Sequence, residues 1–350
     1  MRRSFVLAAA VGAALLALPV TAHAAEGDVH SVSLPFFWPR AELDDVAPDG
    51  AGGVWIGGGQ GAYCVAWIDY CALYSAGNPV VRRWTGTSWK EYPINGWTGN
   101  GLIARVVSGG GQTWIGGGAY DSGYLDRLFV FDGSAFKKVD KPSTSAVSML
   151  STGPGGTWVA QAAYPDGTQP RLLKREGSTW TGRDLPDIRT IVNDVQGTSA
   201  SDVWAVGSRP SESGSGPWRP VVAHFDGTSW TMAPTPALPS DVTSIGQVLP
   251  LGPDDVWAVA GYHLAHWDGD DWTVSPAPGP VTDLAADGSG TLWAATPYGE
   301  EARLYRLSGG AWQAVAVPAG TRLTDITATG SSTIWGVGRA NDAPVAVSNF

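Results

Sequence analysis

Residues 254–276 read DDVWAVAGYHLAHWDGDDWTVSP. An Asp-Asp turn opens onto Val256-Trp257-Ala258-Val259, and Gly261 breaks that run. Leu264-Ala265-His266-Trp267 then alternates apolar and polar side chains, as a half-buried strand does. Asp268-Gly269 is a hairpin signal: the glycine accepts positive φ, and the aspartate bonds its own backbone two residues on. Trp272-Thr273-Val274 is the returning strand.

Working outward, the same text recurs along the chain. Trp55, Trp114, Trp158, Trp204, Trp257, Trp293 and Trp335 each follow a Gly/Asp/Ser-rich turn, at spacings of 36 to 59 residues. A hairpin signature follows these tryptophans, as in WTGTSW (84–89), FDGTSW (225–230) and WDGDDW (267–272). Weaker copies are FDGSAF (131–136), REGSTW (175–180) and LSGGAW (307–312). With a short apolar strand ahead of each tryptophan (VTDLAA, LTDITA), one unit reads as strands a, b, c and d. Seven such units predict an all-β, seven-bladed β-propeller of four-stranded antiparallel blades. The seventh unit stops near Phe350 without a strand d, and Asp28–Pro35 has the pattern of one. The N-terminal strand is therefore expected to complete the last blade, closing the ring and removing two open edges.

Met1-Arg2-Arg3, the apolar run Phe5–Val20 and Ala22-His23-Ala24 form a secretory leader. The expected division is a signal peptide over 1–24 and one propeller domain over 25–350, secreted and extracellular, with no membrane insertion. The chain carries a formal charge of −10 and no basic run, which argues against nucleic acid as a partner. Cys64 and Cys71 are the two cysteines, and in an exported chain a disulfide is expected. On the chain-entropy model it would contribute about 2.5 kcal/mol.

The repeat separates scaffold from signal. Of 18 tryptophans, seven belong to strand b and seven to the c–d hairpins; Trp38, Trp67, Trp97 and Trp218 remain. They fall in d–a and b–c connections, which emerge on one face of a propeller. Tyr63, Tyr70, Tyr120, Tyr164, Tyr262 and Tyr298 also lie in or beside b–c connections, and Phe37 precedes Trp38. The opposite face is mainly Gly, Asp, Ser and Thr. Aromatic planes edged by carboxylates suit sugars, because C–H faces stack on rings that lose little entropy on ordering. Alternatively, these rings pack on one another and plug the channel mouth.

Strand a carries Asp45, Asp194, Asp283 and Asp325, and strand c a base at Arg83, Lys174, His224, His266 and Arg306. These are expected to be polar ties within or between blades; a ring of aspartates holding a cation is the alternative. No nucleophile motif or zinc-type histidine pair is present.

The stretch VWIGGG…VVRRWTGTSWKEYPI resembles the extracellular propeller repeat of two-component sensors. LAADGSGTLWAATPYGEEARLYRLSGG is similar to the streptogramin-lyase type of propeller. The FDGTSW hairpin resembles sialidase Asp-box and tectonin repeats, without the Ser-x-Asp-x-Gly spacing of the Asp box. The lyase resemblance would imply His and Glu on channel-facing loops with a divalent metal, for which His263 with Glu300 or Glu301 are the candidates. The expectation is a monomeric binding module without catalysis, cofactor or metal, holding a glycan or other extracellular ligand. A metal-assisted lyase or hydrolase, or a platform for a protein partner, is the alternative.

Overall fold

The computed structural model describes residues 29–350 apart from 68–70, 76, 120–124, 162–171, 212–215 and 298–303, with backbone alone for 67 and 71–75. The expected leader lies outside the described residues.

Seven antiparallel sheets form the blades of a β-propeller. Strand a of blades 1 to 7 is Glu42–Pro48, Leu102–Gly109, Val147–Gly153, Ile191–Ser199, Gln247–Gly252, Asp283–Ala286 and Thr321–Thr329. All seven strands line one axial cavity of about 610 Å³. His30–Val32 pairs antiparallel with Ala343–Ser348, setting His30 opposite Ser348 and Val32 opposite Ala346. The N-terminal strand thus completes blade 7, as its sequence predicts.

The two sequence signatures are halves of one interface. At every junction but that between blades 6 and 7, the strand b tryptophan of one blade packs against the hairpin of the next. Trp55 meets Phe131 and Phe136 with ring centroids 4.9 and 5.4 Å away. Trp158 meets Phe225 and Trp230, both at 5.4 Å. Trp204 meets Trp267 and Trp272, and Trp335 meets Trp84 and Trp89 across the closure. Blade 7 has no such hairpin, and there Trp293 clusters with Val345, Val347 and Val29. Six of these seven tryptophans are buried and Trp257 is half-buried, so the core is a set of interblade layers rather than one mass.

The hairpins form as their sequence dictates. Asp226 Oδ1 accepts the amides of Thr228 (2.8 Å) and Ser229 (2.9 Å), and Gly227 has φ +96°. Asp132 and Asp268 cap their hairpins in the same way. Two additions depart from four strands per unit. Ile94–Asn95 joins blade 2 as a parallel fifth strand. Tyr63–Trp67 and Cys71–Ser75 form a separate hairpin in the b–c connection of blade 1.

Candidate functional site

The d–a connection entering blade 1 displays aromatic rings. Arg82 holds it from below: the guanidinium lies 4.0 Å from the Phe37 ring centre, donates to Phe36 O (3.0 Å), and is fixed by Glu91 (2.8 Å). With Phe37 tied down and half-buried, its neighbours Phe36 and Trp38 face outward. They are 73% and 60% exposed, and their rings meet edge-on at 5.8 Å. Trp38 N donates to Gln60 Oε1 (3.1 Å), and its Cβ lies over Gly61. Two residues on, Tyr63 is 53% exposed, so blade 1 carries three displayed rings.

The other sequence candidates are dispersed. Trp218 (42% exposed) belongs to blade 4 and Tyr262 (64%) to blade 5, across the ring from blade 1. Trp97 packs on Phe129 at 5.6 Å and 20°, under the Arg127 guanidinium, and its Nε1 donates to Gly99 O. Its ring also fills the space where Gly101 and Gly117 lack a Cβ, which gives it a packing role in blade 2. Tyr70, Tyr120, Tyr164 and Tyr298 lie outside the described residues, as does the side chain of Trp67. Among the described residues no cysteine is free.

The axial cavity is the second candidate. Asp45, Arg105, Met149, Asp194, Gln247, Asp283 and Asp325 occupy one level of strand a. Five of these side chains reach the next blade. Val46 N donates to Asp325 Oδ2 (2.8 Å), Val106 N to Asp45 Oδ2 (2.6 Å) and Val248 N to Asp194 Oδ2 (3.1 Å). Leu284 N donates to Gln247 Oε1 (2.9 Å) and Ile326 N to Asp283 Oδ2 (3.0 Å). The aspartates are therefore ties between blades, the structural role their sequence pattern suggests.

The strand c bases have different partners. Arg83, Lys174 and Arg306 lie over the strand b tryptophan opposite them, and His266 stacks on Trp257 at 4.2 Å. Arg83 pairs with Asp49, His224 with Asp202 and His266 with Asp255, acids at the a–b turn rather than in strand a. Arg83, His224 and His266 thus tie strands within their own blades through the a–b turn and not through the strand a aspartates.

Burial raises three of the carboxyls of this cavity. Asp194 is pushed up to about 6 by burial. Burial, followed by its neighbours Asp45 and Asp283, lifts Asp325 well above the usual range. Burial also raises Asp283. Arg105 lies 3.8 Å from Asp45 Oδ1, and that carboxylate above all holds it cationic.

Asp44 is the least expected group. In five blades strand a has a bulge immediately before this level; the extra residues are Asp44, Ala104, Ser148, Asn193 and Thr324. Asn193 Nδ2 donates to Ile245 O (2.7 Å) and Thr324 Oγ1 to Leu43 O (3.1 Å), each in the next blade. In those two blades the extra residue is a donor to the next blade, and a carboxyl at the same position could donate only when protonated. Asp44 is pushed up to about 7 by burial first and then by Glu42 and Asp45, and its buried Oδ2 has no partner.

His263 opens strand c of blade 5 with Nδ1 buried and unpaired, while Glu300 and Glu301 lie outside the described residues. Among the described residues no group of three His, Cys, Asp or Glu side chains is arranged to hold a metal. No helix among them is long and apolar enough to cross a membrane.

No family model matches the chain, and no curated protein matches it. Solved structures do. A catalytically inactive virginiamycin B lyase from Staphylococcus aureus, with quinupristin, is similar at TM-score 0.63 and 13% identity, covering 93% of this chain and 100% of that one. The extracellular domain of a one-component system from B. thetaiotaomicron matches at 0.58 and 15%, over 93% of this chain and 40% of that one. YCF48 from Cyanidioschyzon merolae matches at 0.57 and 15%, over 92% and 98%. At these identities the likeness is one of fold, and the three neighbours are a lyase, the extracellular domain of a putative one-component system and YCF48, which is also solved bound to the D1 peptide.

Proposed function

We propose that this chain is a secreted, non-catalytic propeller that holds an extracellular ligand, a carbohydrate, on its b–c/d–a face at blade 1. The observation that carries the reading is the exposure of Phe36 and Trp38 on a segment clamped by Arg82 and Glu91. Large rings held open to solvent at fixed positions lose little entropy on binding, and sugar C–H faces stack on them. Tyr63 extends the platform, and a Cys64–Cys71 disulfide staples its hairpin. That no cysteine among the described residues is free supports that staple. The leader supports export, and the module acts as a monomer without cofactor.

A glycan and polysaccharide screen with Trp38→Ala and Phe36→Ala, with and without EDTA, tests this. The expected result is EDTA-insensitive binding that falls at least tenfold in either variant, about 1.4 kcal/mol per ring. Binding of no glycan, or unchanged binding by both variants, would sink it. A protein partner is the second reading, favoured by Val65 standing exposed beside Tyr63.

A further inference from the structure

One rim of the propeller departs from its own repeat. At three blade junctions a hairpin tryptophan donates Nε1–H to a carbonyl at the end of the preceding blade's outer strand. Trp89 donates to Ser33 O (3.0 Å), Trp180 to Asp140 O (3.0 Å) and Trp272 to Pro234 O (2.8 Å). The same contact places the same three neighbouring positions around each tryptophan. One lies two residues before the carbonyl, one lies a residue after it, and one is the strand c partner of the tryptophan. At the 7/1 junction these are Ser31, Leu34 and Trp84; at the 4/5 junction they are Met232, Thr235 and Trp267. At the 2/3 junction all three are cations: Lys138, Lys141 and Arg175.

The scaffold does not require this charge, because the other two junctions form the same contact without it. In blade 3 a guanidinium 5.1 Å from the Trp180 ring replaces the ring-on-ring hairpin pair seen in blades 1, 2, 4 and 5. The cations surround a cleft of about 520 Å³, lined also by Trp180, Thr179 and Asp140. Among the described residues neither the Arg175 nor the Lys138 side chain makes a hydrogen bond or ion pair, and Lys141 gives one N–H to Ser145 O (3.3 Å). Four of the chain's five lysines fall between 137 and 174, in a chain of net charge −10. Asp140 is the one carboxylate in the cleft and leaves it net positive.

We propose that the rim cleft between blades 2 and 3 binds an acidic saccharide, with its carboxylate or phosphate between Arg175, Lys138 and Lys141 and its ring beside Trp180. A planar guanidinium presents paired donors to either oxyanion, and two ammonium groups add charge without fixing geometry. The cleft is of a size to admit one or two sugar rings. This site is separate from the aromatic platform of blade 1.

The test is binding of full-length protein to polygalacturonate, to a poly(glycerol phosphate) polymer and to neutral dextran, at low and moderate salt. Arg175→Phe is the decisive variant, because it reproduces the Phe225–Trp230 pair of blade 4 and should fold as the parent does. A Lys138→Gln/Lys141→Gln double variant tests the charge without touching the hairpin. The expected result is binding to one or both acidic polymers, weakened by salt and by roughly tenfold in each variant, with the melting temperature unchanged in Arg175→Phe. Preference between the two polymers identifies the anion as carboxylate or phosphate. Trp38→Ala should leave this binding intact. Equal binding to dextran, no binding to either acidic polymer, or parental affinity in Arg175→Phe would overturn the proposal. So would tighter binding to a single-stranded oligonucleotide than to either polymer.

Discussion

Coupling between blades should be measurable at one contact. Trp158 of blade 3 and Phe225 of blade 4 are each 1% exposed, with ring centroids 5.4 Å apart at 80°. Trp158→Phe removes part of the ring and the Nε1–H bond to Gly155 O (3.1 Å), for an expected loss of about 1–3 kcal/mol. Phe225→Leu should cost about 1–1.5 kcal/mol. Because each ring packs on the other, the double variant should depart from the sum by about 0.5–1.5 kcal/mol. Equilibrium unfolding in urea, read by tryptophan fluorescence and circular dichroism, gives the four stabilities. Pairing Trp158→Phe with Trp293→Phe in blade 6 supplies the control, since those tryptophans share no partner and should add to within about 0.5 kcal/mol. A Trp158–Phe225 coupling no larger than that of the control would refute interblade packing as the unit of stability.

Two further outcomes follow from the axis and the closure. A carboxyl whose folded pKa is raised holds its proton more tightly in the native state. Its stabilisation is present below the unfolded value near 4 and is lost as pH rises through the folded value. For Asp44 that window runs from about 4 to about 7, and each unit of pH within it costs up to about 1.4 kcal/mol. Thermal melts should therefore show higher stability at pH 5 than at pH 8. Asp44→Asn, which supplies a donor at every pH, should reduce that difference by the share of Asp44, with the raised Asp194, Asp283 and Asp325 keeping the remainder; an unchanged pH profile would show that Asp44 contributes none of it. Removing residues 25–35 should lower the melting temperature by several degrees, because Val29 and Val32 are buried and His30–Val32 is the outer strand of blade 7. A melt unaffected by that trimming would contradict closure by the N-terminal strand.

The fold was legible because its two signatures are local. A turn followed by an alternating run with tryptophan, and an aspartate-glycine hairpin, can each be read within a dozen residues. That the tryptophan of one blade seats on the hairpin of the next is a relation of the ring, and no window of sequence contains it. Asp44 was hidden because a bulge changes the phase of a period-two pattern without leaving a mark of its own. Which acids the strand c bases would meet was not legible, because Asp49, Asp202 and Asp255 at the a–b turn are as near in sequence as any strand a aspartate. Subtracting the repeat selected Trp38, whose ring stands exposed. The same subtraction selected Trp97, which the extra strand Ile94–Asn95 draws toward blade 2. Arg175 could have been found by it, as a charge standing where other hairpins carry a ring.

Blades 1 to 6 each present a tryptophan on one flank and a hairpin socket on the other, and blade 7 offers its outer strands in place of the hairpin, so the contact between neighbours is head-to-tail. Contacts of that kind close into rings when the rotation per unit divides the circle, and otherwise run on as open arrays. Here the seventh unit returns to the first, and His30–Val32 latches the seam. A chain cut short by one blade would carry an unmatched tryptophan at one end and an empty socket at the other. Two such chains could satisfy each other, so truncation of this protein should yield linked copies rather than a smaller ring.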